Sequence, residues 1–300
     1  MFRHQHRAAG GLPGPADASL RAYLRRTVEA VAIPRSYRAE RSANAAVRDF
    51  LEAEMARLGL RTTVAGRWEN VIGCLGEGAP RWIIGAHYDS APGSPGADDN
   101  GSALAAMLGA AGQLAAQGAG GIAFVAFNRE EDGLFGSTDF ATAIRRGEFP
   151  KPAGAHILEM VGYADHTAGS QTKPDGLPMA LPDAGDFLGL VANGASARLL
   201  RRAEAAANRE VPELPTLSLT VRLGIEKAMP HLLRSDHAPF WRLRLPAVMW
   251  TDTSEFRNPH YHRDSDLPET LDYAFLERVT RALTAAAADL AAGKNGVPGR

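Results

Sequence analysis

Two adjacent glutamates, Glu130 and Glu131, stand in the stretch NREEDGLFGS (128–137), directly after the apolar run 121–127. That run reads as a buried strand, and neighbouring residues of a strand point to opposite faces. Two carboxylates at its end therefore do not simply repeat one task. The ordinary reading is a solvated turn, with Gly133 and Gly136 bending the chain. The pair gains weight because the other apolar runs also end in acidic or histidine residues. His87 and Asp89 come after 82–86, Asp98 and Asp99 lie in the next loop, Glu159 closes 155–159, and NPHYHRDSD (258–266) lies beyond 247–250. In open α/β sheets, sites gather where strands end. Imidazole and carboxylate groups hold zinc well, and one carboxylate can bridge two ions. A single strand-end histidine is usually structural, but five such groups together point to metal-assisted chemistry.

Rival chemistries lack their motifs. The chain has no HExxH helix pair, GxSxG elbow or GxxxxGK[ST] phosphate loop. Ser235, Asp236 and His237 have the letters of a serine triad, but three consecutive residues do not form one, because a triad assembles in space.

Periodicity locates the elements that must position these groups. An amphipathic helix starts at Ser19 with Leu20, Tyr23, Leu24, Val28 and Val31 on one face. A second covers about 44–58, with Gly59 as its stop. Strands are expected at 62–64 and 70–75, as antiparallel neighbours, and at 82–86, 122–127, 155–159 and 247–250. Helices are expected at about 102–117, 195–208 and 273–292. Strand, helix and strand over 82–127 have the spacing of a crossover unit, so the expected class is α/β: a three-layer α/β/α sandwich with a central mixed sheet. The expected organisation is a flexible tail at 1–17 containing His4 and His6, one catalytic domain at 18–292, and a frayed end at 293–300. The segment 165–185, rich in Gly and Pro, reads as a long functional loop.

Composition narrows the partners. With 300 residues, 45% hydrophobic and 22% charged, and a formal net charge of −1, nothing electrostatic favours nucleic acid or an anionic membrane. The single cysteine, Cys74, allows neither an internal disulfide nor a thiolate cluster and reads as a buried inert thiol. The basic N-terminal stretch lacks the apolar core of a secretory signal, and no run is long enough to span a bilayer. The cytoplasm is the expected compartment, and the oligomeric state is not legible.

The motifs GAHYDS, GADDNGSA, EEDGLFGS, LEMVGY, SDHAPF and NPHYHRDSD, in this order from about 44 to 283, resemble the co-catalytic zinc aminopeptidases of metallopeptidase family twenty-eight. Glutamate carboxypeptidase and glutaminyl cyclases are relatives of that family. The resemblance implies two Zn2+ ions bridged by Asp99, with His87 and Glu159 on one and Glu131 and His262 on the other. It makes Glu130 the general base and Asp89 the carboxylate that orients an imidazole. A zinc-bridging hydroxide would attack the amide of a peptide or small amide substrate. Glu159 departs from the pattern, since the best-known members carry aspartate there; the extra methylene displaces the carboxylate by roughly one bond, ~1.5 Å. Asp236 and His237 fall in a motif the family keeps near its site, which leaves open a role in supporting the ligands or orienting substrate and, equally, a structural one. Tyr163 and Trp250 are aromatic residues available to a specificity pocket, although core packing is the plainer role for them. His156, His166 and His231 read as structural, and the resemblance prefers His262 to His260. The alternatives are a single-zinc acyltransferase of the glutaminyl cyclase kind and a non-catalytic scaffold of the same fold.

Overall fold

A computed structural model describes residues 19–177, 179–221 and 229–293. The expected tails, with His4 and His6, lie outside the described residues except for Gly293. Helices α1 (Leu20–Val31) and α2 (Arg41–Arg57) precede β1 (Arg61–Ala65), β2 (Asn70–Leu75) and β3 (Trp82–His87). Then come α3 (Ala103–Ala116), β4 (Ile122–Phe127), α4 (Phe135–Arg146), β5 (Gly154–Glu159), β6 (Leu188–Asn193) and α5 (Ala197–Glu210). The chain continues through β7 (Thr216–Val221), α6 (His237–Arg242), β8 (Ala247–Thr251) and α7 (Tyr273–Ala291).

The eight strands form one sheet in the order β1-β2-β4-β3-β5-β8-β6-β7. Pairing is parallel for β3 with β4 and β5, for β5 with β8 and for β6 with β7, and antiparallel elsewhere. The sheet is therefore mixed, with β1 and β2 antiparallel as their spacing suggests. The parallel core places the C-terminal ends of β3, β4, β5 and β8 along one edge, where the loops carrying the acidic and histidine residues begin.

The central strands are buried on both faces, which explains their near-continuous apolar runs. One face packs Ile84, Phe124, Leu158 and Trp250 against α1, α2, α3, α5 and α7. The other packs Ile83, Val125, Phe127 and Ile157 against α4 and α6, through Phe140, Ile144, Phe240 and Trp241. Strands β6 and β7 and helices α4 and α6 extend the set expected from periodicity. Strand β7 mixes Thr and Ser with Leu because it is a half-buried edge, and α6 is only 6 residues long, too short for a 3.6-residue period to show. Cys74 is half-buried rather than fully enclosed, and burial raises its thiol pKa.

His156 is structural, as its lack of a motif suggests. Its ring is buried, and Nδ1 accepts a hydrogen bond from Trp250 Nε1 at 2.9 Å. Burial pushes its pKa down from 6.5 to about 3. A folded-state pKa below the unfolded one means that the unfolded chain takes up the proton first, so stability is intact above pH 6.5 and falls as the pH drops toward 3. This site should contribute up to about 1.4 kcal/mol per pH unit to that slope. His156→Gln, which still offers Trp250 an acceptor, should flatten the fall in urea-unfolding free energy from pH 6.5 downward. An unchanged slope would mean that His156 is not held neutral.

Candidate metal centre

His87 ends β3 with no side-chain exposure. Its Nδ1 faces the carbonyl oxygen of Asp89 at 3.1 Å. A carbonyl only accepts, so Nδ1 carries a proton, which leaves Nε2 as the atom available to a metal. Nε2 faces two carboxylates, Asp99 Oδ1 at 3.3 Å and Glu159 Oε1 at 3.5 Å. On the other side of Asp99, His262 Nε2 lies 3.2 Å from Oδ2 and 3.1 Å from Glu131 Oε2. Ligand atoms from His87, Asp99 and Glu159 fall within 4.8 Å of one another, as do those from Asp99, Glu131 and His262. Asp99 thus presents one oxygen to each histidine and is common to both groups.

These residues fit metal ions. Ligands ~2.1 Å from a tetrahedral zinc stand ~3.4 Å apart, close to the separations found here. His87 Nε2, Asp99 Oδ1 and Glu131 Oε1 are buried with no hydrogen-bond partner, and orphaned polar atoms in a core are costly unless something binds them. The cluster also crowds carboxylates around two imidazoles. Burial pushes Glu131 up to about 7, with the nearby Asp99 charge adding to it. Burial likewise opposes charge on Asp99, but the imidazoles of His262 and His87 outweigh it and hold Asp99 below its usual range. Burial disfavours charge on His262 as well, yet Asp99 and Glu131 bring its pKa up to about 10. Carboxylates packed this closely suit cations.

The surrounding chain explains how the groups are held. Gly136 begins α4 where an added Cβ would stand 2.2 Å from the carbonyl oxygen of Asn128. Only glycine lets the helix sit so close to the end of β4. Gly136 therefore serves close approach rather than a bend, while Gly133, at φ 123°, does turn the chain. The Asp89 carboxylate accepts the backbone N–H groups of Glu130 at 3.0 Å and Glu131 at 3.3 Å. It also lies 3.6 Å from His87 Nδ1, so Asp89 faces the His87 ring with its carbonyl and its carboxylate, and the carboxylate secures the loop of the two glutamates as well. Glu130 belongs to neither ligand group. It is buried, and desolvation together with Glu159, Glu131 and Asp236 raises it well above the usual carboxylate range, against the pull of His87.

Glu159 ends β5, and its Oε2 accepts from Ser235 Oγ at 2.5 Å. The longer side chain still reaches the cluster. Asp98 turns away from it, taking Gly162 N at 2.9 Å and Asn258 Nδ2 at 2.7 Å. His260 pairs with Ser265 Oγ at 2.9 Å and joins neither group. Asp236 is buried, and burial pushes it up to about 7. It stands within electrostatic reach of His87, Glu159 and Asp89, not on the cavity wall. His237 does not reach the cavity either. Its Nε2–H donates to the Leu232 carbonyl at 2.9 Å, its ring packs against Trp241, and burial lowers its pKa to about 4. Tyr163 packs its ring toward His260, and Trp250 lies in the core on the opposite face of the sheet; neither lines the cavity.

Other residues matter that carry no assignment from sequence. Asp266 accepts the N–H groups of Asp98 and Asp99 at 2.9 and 3.1 Å, fixing from behind the residue common to both groups. Its position closing NPHYHRDSD is the signal that could have found it. Arg35, fully buried, donates to the carbonyls of Tyr88 at 2.7 Å and Gly96 at 3.0 Å and so ties the loop between His87 and Asp99 to the end of α1. Burial lowers its pKa to about 10. Nothing local in the sequence marks it. Beside the cluster opens a cavity of about 420 Å³, to which Tyr261, Arg234, Glu255 and His231 contribute. His231 is therefore a wall residue rather than only a structural one.

Residues 70–287 match peptidase family M28. The chain belongs to that family. It is a metallopeptidase, and zinc is the metal the family implies. The uncharacterized protein YfbL of Escherichia coli (strain K12) is 34% identical over 227 residues, 71% of this chain and 68% of that protein. BSAP, a zinc aminopeptidase from Bacillus subtilis, superposes with a TM-score of 0.57 at 26% identity, over 74% of this chain and 50% of that chain. A glutaminyl cyclase from Tannerella forsythia superposes with a TM-score of 0.64 at 21% identity, over 90% and 97% of the two chains, a likeness of fold. Among the described residues of this M28 peptidase, no helix is long and apolar enough to cross a membrane.

Proposed function

We propose that this M28 peptidase is an aminopeptidase that holds two zinc ions, one through His87, Asp99 and Glu159 and the other through Asp99, Glu131 and His262. The observation that carries the reading is the placement of the two Asp99 oxygens, 3.3 Å from His87 Nε2 and 3.2 Å from His262 Nε2. A one-metal acyltransferase has no need of a carboxylate shared in this way.

Zinc held there supplies Lewis acidity, polarising an amide carbonyl and making water acidic enough to act as a nucleophile near neutral pH. Glu130 takes the proton from the attacking water on its carboxylate and returns it to the leaving amine. Asp89 keeps Glu130 in place through the backbone, and Ser235 holds the Glu159 carboxylate. The acidic groups Glu130, Glu131 and Glu159 on the cavity wall suit the cationic α-amine of a peptide or aminoacyl amide. On this reading the substrate is such a peptide or small amide, the compartment is the cytoplasm, and neither nucleic acid nor membrane is a partner.

Elemental analysis after dialysis against a weak chelator, followed by a panel of aminoacyl amides and their N-acetyl counterparts, tests this reading. Two zinc ions per chain and cleavage of the free-amine amides only are expected. One zinc with cyclisation of an N-terminal glutamine would favour the cyclase reading. No bound metal and no turnover would leave a scaffold.

A further inference from the structure

The cavity runs away from the metal centre along the sheet. Cross-strand partners start at the ligand Glu159, which stands opposite Thr251 on β8; Thr251 stands opposite Gly189 on β6, and Gly189 opposite Leu217 on β7. Partners in register share a face, so these four positions form one row across four strands. All four line the cavity. At ~4.8 Å per strand the row is roughly 14 Å long. A parallel row, Met249, Val191 and Leu219, forms its second rail. The cavity is walled as well by Pro174, Leu177, Met179 and Leu181, from a loop pinned where Gln171 Nε2 donates to Thr253 Oγ1 at 2.9 Å, and by Leu232. The charged wall residues stay near the metal end, where Arg234 pairs with Glu255 and Tyr261.

Gly189 is the one position of this row without a side chain. A Cβ there would lie 3.2 Å from the Thr251 carbonyl oxygen and 3.3 Å from its Cγ2, the two nearest atoms. With hydrogen alone at that position, the floor stays open between Thr251 and Leu217. The volume, about 420 Å³, far exceeds the ~150 Å³ apolar cavity that admits benzene. The row is also longer than any standard side chain.

We infer that this channel takes a linear apolar chain of roughly ten carbons, at ~1.5 Å per bond, carried on the acyl part of the scissile amide, and that Gly189 sets the accepted length. This inference rests on the peptidase reading and names its substrate class. On the peptidase reading the chain is the side chain of the N-terminal residue.

Alanyl, 2-aminohexanoyl, 2-aminodecanoyl and decanoyl p-nitroanilides test it. Each buried methylene contributes up to about fourfold, so kcat/KM should rise at least about 100-fold from the alanyl to the 2-aminodecanoyl anilide. Cleavage of the decanoyl anilide instead would assign the channel to a fatty acyl group and overturn the aminopeptidase reading. Gly189→Val should lower the 2-aminodecanoyl-to-alanyl ratio at least tenfold. Leu217→Gln, on the half-buried edge strand where a polar residue is easily accommodated, should cut the same ratio at the far end. Calorimetric binding of decylamine against butylamine reads the channel without turnover: decylamine should bind at least about 30-fold more tightly, and Gly189→Val should erase the difference. If no anilide is cleaved but that preference holds, the peptidase reading fails and the channel stands. Cleavage without dependence on chain length, or equal losses on long and short substrates in Gly189→Val, would overturn the channel and leave the peptidase reading intact.

Discussion

Glu130→Gln should lower turnover of an aminoacyl amide by a factor of roughly 10³, within the 10²–10⁴ range expected of a positioned general base, while the zinc content stays that of the parent protein. Glutamine keeps the shape and can still donate and accept, but it cannot carry the proton from water to the leaving amine. Glu130 provides no atom to either ligand group, and its backbone N–H bond to Asp89 survives the change. Activity and metal content should therefore separate. The two measurements belong together on one preparation, by stopped assay and by elemental analysis. Near-parental turnover would remove Glu130 from the proton path. Joint loss of metal and turnover would make it a ligand instead.

Asp99→Asn should strip both metals. The residue is the only member common to the two groups, and it is anchored by Asp266 through its backbone. Asparagine keeps that anchor, so the loop should hold its course. The side chain, however, then offers one carbonyl oxygen and an amide that cannot ligate, and the negative charge is gone. Loss of an outer hydrogen-bond partner already costs a metal site about 10–100-fold in affinity, so loss of a shared ligand should cost at least about 100-fold at each site. After dialysis against the weak chelator, the variant should hold fewer than half of the parental ions, with turnover reduced in proportion. Glu159→Ala provides the contrast, because it leaves the Asp99, Glu131 and His262 group complete and should retain about one ion per chain. Equal metal content in Asp99→Asn and the parent would show that Asp99 does not bridge.

Much of the scaffold was legible because its determinants are local. Buried strands such as β4 and β8 are written as unbroken apolar runs, and α1 shows its face at the 3.6-residue period. Strand β7 and helix α6 were harder to read, since an edge strand has weak alternation and a 6-residue helix too little length. Among the motif residues, the types alone named metal chemistry: a His or a carboxylate comes after each central parallel strand, and parallel strands deliver their ends to one edge.

The order of residues along the chain thus sets the family, the central strands and the groups able to bind metal. Packing divides the work among those groups. Two glutamates adjacent in sequence separate because one side chain meets His262 and its neighbour does not, and the Asp89 carboxylate beside His87 also holds the glutamate loop. His237 and Tyr163, next to functional motifs in sequence, turn to other partners. Arg35 and Gly189 act from positions with no local signal. Arg35 works through carbonyls 53 and 61 residues away, and Gly189 through a register that aligns four strands. Distance along the chain carries no information about such contacts; only the packing that brings the segments together sets them.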